Sequence, residues 1–222
     1  DTVLAISEAC KSFIWIEFIE RKVSVFYRGI DGLKNTTQSV NLAQKFPNKK
    51  IVWYVGRLYK WKNVDSLIKA FYSLDDNYTD TLQLVIVGDG EDFERLKWLD
   101  TDNRVYFTWW KDFKEALSLQ KQFDIHMHPS SPWGWLATTL LQAMYYGCYI
   151  VATPNEGAKE VIKNHENGIL LIDDSMEEIK KWILTCMKSF DRQKEYAEKN
   201  RKIIVTHFRW DNNIDKLYKL IK

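Results

Sequence analysis

His128-Pro-Ser-Ser-Pro-Trp-Gly-Trp-Leu-Ala-Thr-Thr-Leu-Leu-Gln-Ala-Met-Tyr-Tyr-Gly-Cys-Tyr-Ile-Val-Ala-Thr153 reads as a strand end, a loop, a helix and a second strand. Pro129 through Pro132 interrupt an apolar strand. Trp133-Gly134-Trp135 turns the chain, and the apolar run that follows closes at Gly147. Ile150 and Val151 then supply the β-branched side chains of a buried strand. Such a unit places a helix N-terminus at the carboxyl edge of a sheet, where free backbone N–H groups gather phosphate.

The same alternation extends to both ends of the chain. Strands are expected at Val3–Ile6, Val23–Tyr27, Ile51–Val55, Leu84–Val87, Val105–Phe107, Ile125–Met127, Tyr149–Ala152 and Ile169–Leu171. Most are continuous apolar runs, as in strands buried on both faces. Helical spacing falls between them, roughly over 8–20, 63–74, 91–99, 113–120, 136–146, 156–163, 176–189, 191–205 and 211–221, with Asp112, Asp174 and Asp211 as expected N-caps. Strand–helix alternation predicts an α/β fold: a Rossmann-like parallel sheet with helices on both faces.

Charge and cysteine usage exclude several classes. The 32 basic and 30 acidic side chains nearly cancel, which gives no electrostatic case for nucleic acid. Cys10, Cys148 and Cys186 are odd in number and lack a Cys-x-x-Cys spacing, against zinc and against a disulfide framework. No apolar run approaches the length of a membrane span and no signal peptide is visible, so a cytoplasmic setting is expected. Residues 8–20, with Phe13, Trp15 and Phe18, are apolar on nearly every side. They suit a core helix, a partner chain or a peripheral membrane surface, and oligomerisation stays open. The chain opens at Asp1 almost directly on a strand, which leaves open a missing initiator Met or a fragment.

Four further segments carry candidate chemistry. In Val55-Gly56-Arg57-Leu58-Tyr59-Lys60-Trp61-Lys62-Asn63, a strand ends at Gly56 and a basic loop leads into a helix. Arg57 and Lys62 beside a glycine turn suit a diphosphate, although a merely solvated loop has the same composition. Gly88-Asp-Gly90 superficially matches a dinucleotide fingerprint, but Phe93 stands where its third small residue belongs, so a structural turn is expected. Trp109 and Trp110 end a strand at the same edge, placed to stack on a base or simply to pack. His126 and His128 share one side of a strand with no obvious third ligand, so no metal site is expected.

These segments occur in an order that closely resembles the family-four retaining glycosyltransferases of the GT-B fold, also called glycosyl transferases group 1. The resemblance runs through Gly56-Arg57…Lys62, the Gly88 turn, the 128–153 stretch, Thr153-Pro-Asn-Glu-Gly-Ala-Lys-Glu-Val-Ile162 and Asn167-Gly-Ile-Leu-Leu171. It implies the carboxy-terminal, donor-binding half of that fold. Residues 1–30 would be the end of the amino-terminal domain and linker, 31–205 the donor domain, and 206–222 a crossing helix.

The family pattern makes Arg57 and Lys62 the catalytic cations that neutralise a leaving nucleotide diphosphate. Gly56, Trp109, Trp110, Gly134, Trp135, Thr138, Thr139, Gln142, Glu156 and Gly157 would surround the donor. No cofactor or metal is implied beyond a nucleotide-diphosphate sugar, UDP- or GDP-linked, as co-substrate. The sequence departs from the family at two places. Pro132, Trp133 and Gly134 stand where a Glu is expected, and Gln142 replaces the second Glu. A non-catalytic nucleotide-sugar module, or one chain of a two-chain enzyme, is therefore the alternative reading.

Overall fold

The computed structural model describes residues 2–12, 22–31, 33–34, 36–37, 40–131 and 135–221. Its strands are β1 (Thr2–Ala5), β2 (Lys22–Val25), β3 (Lys50–Val55), β4 (Leu82–Val87), β5 (Val105–Thr108), β6 (Ile125–His128), β7 (Tyr149–Ala152) and β8 (Ile169–Leu170). The helices are α1 (Glu8–Ser12), α2 (Leu42–Lys45), α3 (Val64–Tyr72), α4 (Asp76–Thr79), α5 (Phe93–Trp98), α6 (Phe113–Gln120), α7 (Thr138–Tyr146), α8 (Glu156–Val161), α9 (Met176–Lys188), α10 (Arg192–His207) and α11 (Trp210–Ile221).

All eight expected strands form, within two residues at either end. β3 to β8 build one parallel sheet in the order β5-β4-β3-β6-β7-β8. β1 and β2 form a separate parallel pair. Alternation along the central strands feeds two cores. Val52, Tyr54, Leu84, Ile86, Ile125 and Met127 face α3, α5 and α9. Ile51, Trp53, Val55, Val85, Ile150 and Ala152 face α6, α7, α8 and α10. Helix faces follow the same logic: α3 buries Val64, Leu67, Ile68 and Phe71, the i, i+3, i+4, i+7 stripe. α7 stops where Gly147 turns left-handed at φ 82°, its N–H reaching back to the Ala143 and Met144 carbonyls.

Some expectations need correction. The helix expected over 8–20 is seen as α1; residues 13–21, with Phe13, Trp15 and Phe18, lie outside the described residues. Asp112 does cap α6, accepting from Glu115 N at 2.8 Å. Asp174 does not cap α9: Ser175 Oγ takes that place, accepting from Glu178 N. Asp211 lies inside α11 and pairs with Arg209 instead. α2 and α4 were not expected from the sequence, because four residues are too few to show a period. Among the described residues, no helix is long and apolar enough to cross a membrane, and no three His, Cys, Asp or Glu side chains are grouped to hold a metal.

Residues 27–30 and 208–213 meet on one flank. Gly29 lies against the backbone of Trp210, so close that a Cβ would sit 2.4 Å from Trp210 N. Ile30 N donates to Phe208 O, and Asn213 Nδ2 donates to Tyr27 O. The rings of Tyr27 and Phe208 pack edge to face.

Candidate donor-binding site

β3 is the topological switch point of the sheet: β4 lies on one side of it and β6 on the other. Loops leaving the carboxyl ends of β3 and β6 lead to helices on opposite faces of the sheet, and the crevice expected between them is the usual place for a ligand in an open α/β sheet. The β3 loop runs from Gly56 to Asn63 and ends in a short 3₁₀ turn, Lys60–Lys62. The β6 loop takes in residues 129–131 and 135–137, the residues between lying outside those described. Ser131 N donates to Trp61 O at 2.8 Å and joins the two.

Backbone packing fixes the β3 loop. Tyr54 Oη donates to Arg57 O at 3.0 Å and stands 2.7 Å from where a Cβ on residue 56 would be, so only glycine fits at Gly56. A Cβ on Gly88 would lie 2.0 Å from Gly56 O, and one on Gly90 would lie 2.3 Å from Leu58 O. The Gly88–Gly90 turn is thus pressed backbone to backbone on the Arg57 loop. It is a structural turn rather than a phosphate cradle.

Positive charge collects at this crevice. Lys62 is pushed down to about 8 by burial. His128, at the end of β6, is held down to about 3 by burial first and by the Lys62 charge second, so it stays neutral. Arg57 is exposed, with Nη2 3.3 Å from Tyr59 Oη. α3 and α7 begin at this edge. Neither has a side-chain cap, since Asn63 and Ala137 make no capping hydrogen bond. The N-terminal N–H groups and the positive dipole ends of the two helices add to the cations, an arrangement suited to an anion.

The other expected residues take varied places. Thr138 and Thr139 form the half-buried first turn of α7. Trp135 is exposed just before it, and Gly134 lies outside the described residues. A Cβ on Gly157 would lie 2.3 Å from Leu136 N, so the start of α8 fits directly against the chain entering α7. Beside it, exposed Glu156 pairs with Lys159 at 2.9 Å. Gln142 is buried, its Oε1 accepting from Gln120 Nε2 at 3.1 Å. It also lines a cleft of about 350 Å³ with Thr138, Phe113 and Trp210. Trp109 and Trp110 are both exposed beyond β5, and Trp109 stacks on Phe93 with ring centroids 4.2 Å apart.

The structure thus brings Gly56, Arg57 and Lys62 to the mouth of the β6 loop, and Gly157 to its far end. Trp109 and Trp110 lie beyond β5, and Gln142 inside α7 on Gln120. Sequence reading passed over Ser130 and Asn155. Both are buried, with Ser130 Oγ and Asn155 Nδ2 unpartnered. Asn155 spends its Oδ1 capping α8 at Ala158 N. Their only sequence signal was a polar residue beside a proline.

A family model described as glycosyl transferases group 1 matches residues 37–203. The chain belongs to that family. An uncharacterized glycosyltransferase of Methanocaldococcus jannaschii is 40% identical over 228 aligned residues, spanning all of this chain and 58% of the relative. A second uncharacterized glycosyltransferase, from Haemophilus influenzae, is 30% identical over 75% of this chain and 47% of its own length. Anabaena HepE, solved with UDP and with UDP-glucose, superposes with a TM-score of 0.84 at 22% and 23% identity, over 99% of this chain and 63% of HepE. At that identity the likeness speaks to fold. This group 1 glycosyl transferase chain has a Rossmann-like parallel sheet matching GT-B glycosyltransferases, and it spans between about half and two thirds of these relatives.

Proposed function

We propose that this chain binds a nucleotide-diphosphate sugar in the β3–β6 crevice. It would be the carboxy-terminal, donor-binding half of a GT-B glycosyltransferase that transfers the sugar with retention of configuration. The observation that carries the reading is the placement of Arg57 and half-buried Lys62 on the β3 loop at the switch point, with Lys62 beside the start of α3 and close to His128 at the end of β6. A diphosphate leaving group gains negative charge as the glycosidic bond breaks, and fixed cations and N–H dipoles stabilise that charge without reorganising. UDP and UDP-glucose in HepE support a nucleotide donor by analogy of fold. Residues 1–30 and 206–222, which touch where Gly29 meets Trp210, are assigned as elements that cross to an amino-terminal domain.

The reading is tested by measuring donor binding and turnover in Arg57→Ala and Lys62→Ala. Loss of one such cation is expected to cost about 10²–10³ in rate. Wild-type donor affinity and rate in both variants would remove the assignment. Gln142 favours a second reading, a binding module or one chain of a two-chain enzyme. A neutral amide engaged by Gln120 lacks the charge of the family's glutamate, and its Oε1 is already an acceptor within the protein. Saturable donor binding without hydrolysis, restored to turnover only by a second chain, identifies that case.

A further inference from the structure

Between Arg57 and Lys62, the two cations of the β3 loop, lie two aromatic rings, those of Tyr59 and Trp61. They stack nearly parallel, 14° apart, with centroids separated by 6.4 Å. The Arg57 guanidinium lies 5.7 Å from the Tyr59 ring centroid, and the Lys62 ammonium lies 4.0 Å from that of Trp61. The four side chains form one ladder: cation, ring, ring, cation.

We propose that Trp61 is a positioning residue that holds the Lys62 ammonium in the crevice, while Tyr59 does the same for Arg57, so that one aromatic pair sets the placement of both cations. Their role toward a diphosphate rests on the donor-binding reading above; the ladder itself does not.

Three observations support the assignment. The first is the cost of the arrangement to the fold. Trp61 is 45% exposed and contributes to neither core, so hydrophobic burial does not explain where it stands. The second is the rigidity of its backbone. Trp61 O accepts from Ser131 N across the crevice, and the turn is locked behind it by Asn63 in the left-handed region at φ 53°. Asn63 is itself tied by Nδ2 to Asp174 O at 2.7 Å. The third is the nature of lysine, a flexible chain with a point charge that has no preferred direction of its own. A ring face supplies one, and the attraction strengthens as water is excluded. Lys62 is the partly desolvated cation of the pair, lowered to about 8, and the titratable group facing it from β6 is His128, neutral through burial.

The test needs no knowledge of the natural donor. Lys62 is titrated without ligand by NMR of its Hε and Cε nuclei in the wild type, Trp61→Ala, Trp61→Phe and Tyr59→Leu, and each protein's affinity for inorganic pyrophosphate is then measured. In Trp61→Ala the ammonium is no longer held and returns to water; relief of its burial outweighs the lost cation–π attraction, so the Lys62 midpoint is expected to rise from about 8 toward the ordinary lysine value, with pyrophosphate affinity down about tenfold. Trp61→Phe restores both, and Tyr59→Leu weakens pyrophosphate while leaving the Lys62 midpoint nearer the wild type. A midpoint unmoved in Trp61→Ala, or a Phe variant that behaves like the Ala variant, overturns the inference. If pyrophosphate binds the wild type and loses affinity in Lys62→Ala but not in Trp61→Ala, the inference fails and the donor reading stands. If the wild type does not bind pyrophosphate while the midpoint moves as expected, the donor reading fails and the Trp61–Lys62 placement stands.

Discussion

Lys62 is a cation close to its tipping point. Burial lowers it to about 8, so above that pH the empty site loses one of its two charges. A bound diphosphate favours the charged form, so binding must take up a proton there. Affinity for a nucleotide-diphosphate sugar, whose diphosphate carries no terminal phosphate to titrate, is therefore expected to be flat below pH 7 and to fall by up to about tenfold per unit above pH 8. Calorimetry across pH 6–9.5 checks this, and Lys62→Met should flatten the profile. His126 and His128 act on stability instead. Both are buried and held below the usual histidine value, His128 down to about 3. Below about 6.5 the unfolded chain takes up protons that the folded chain refuses, so stability falls as pH falls. Between pH 6 and pH 5 the unfolding free energy is expected to drop by about 2 kcal/mol, from two histidines at up to about 1.4 kcal/mol per unit each. Urea titration of the wild type and His128→Asn should show the slope roughly halved in the variant. At this scale the position of Arg57 and Lys62 on a basic loop after β3 was legible, because a glycine and the cations follow an apolar run. The Gln120–Gln142 bond was not, because nothing in the sequence announces a contact between residues 22 apart.

Glu160 shows how one element completes another. Its two carboxylate oxygens accept from Glu8 N and Ala9 N at 3.0 and 2.8 Å, so a side chain of α8 caps α1. A cap contributes about 1 kcal/mol. Glu160→Ala is expected to cost about that much and to raise protease sensitivity selectively near residues 8–12, which limited proteolysis with mass mapping would reveal. The Gly88 turn makes a sharper case. At φ 144°, and with Gly56 O 2.0 Å from a would-be Cβ, Gly88→Ala should cost about 1–3 kcal/mol and displace the Arg57 loop. Denaturant unfolding measures the first effect and nucleotide affinity the second. Caps were the least legible elements. Three neighbouring residues, Asp173, Asp174 and Ser175, all carry capping side chains, and only the fold selects Ser175.

At the scale of the whole molecule, the apolar strand runs carried the fold: a parallel sheet covered on both faces follows from their continuity and from the helices between them. Strand order was not legible, since β3 pairs with β6 across 69 intervening residues, and the separate β1–β2 pair was not anticipated. The order is what creates the crevice. Without β6 beside β3, Arg57 and Lys62 would lie on an ordinary loop rather than on one tied to Ser131 and close to His128. The most direct test of the account is titration of the purified chain with UDP, GDP and ADP and their common sugar conjugates, followed by heat and tryptophan fluorescence, in the wild type and Arg57→Ala. The account predicts saturable binding of one nucleotide series, weakened at least tenfold in the variant. No saturation at millimolar ligand, or equal binding in both proteins, would contradict it.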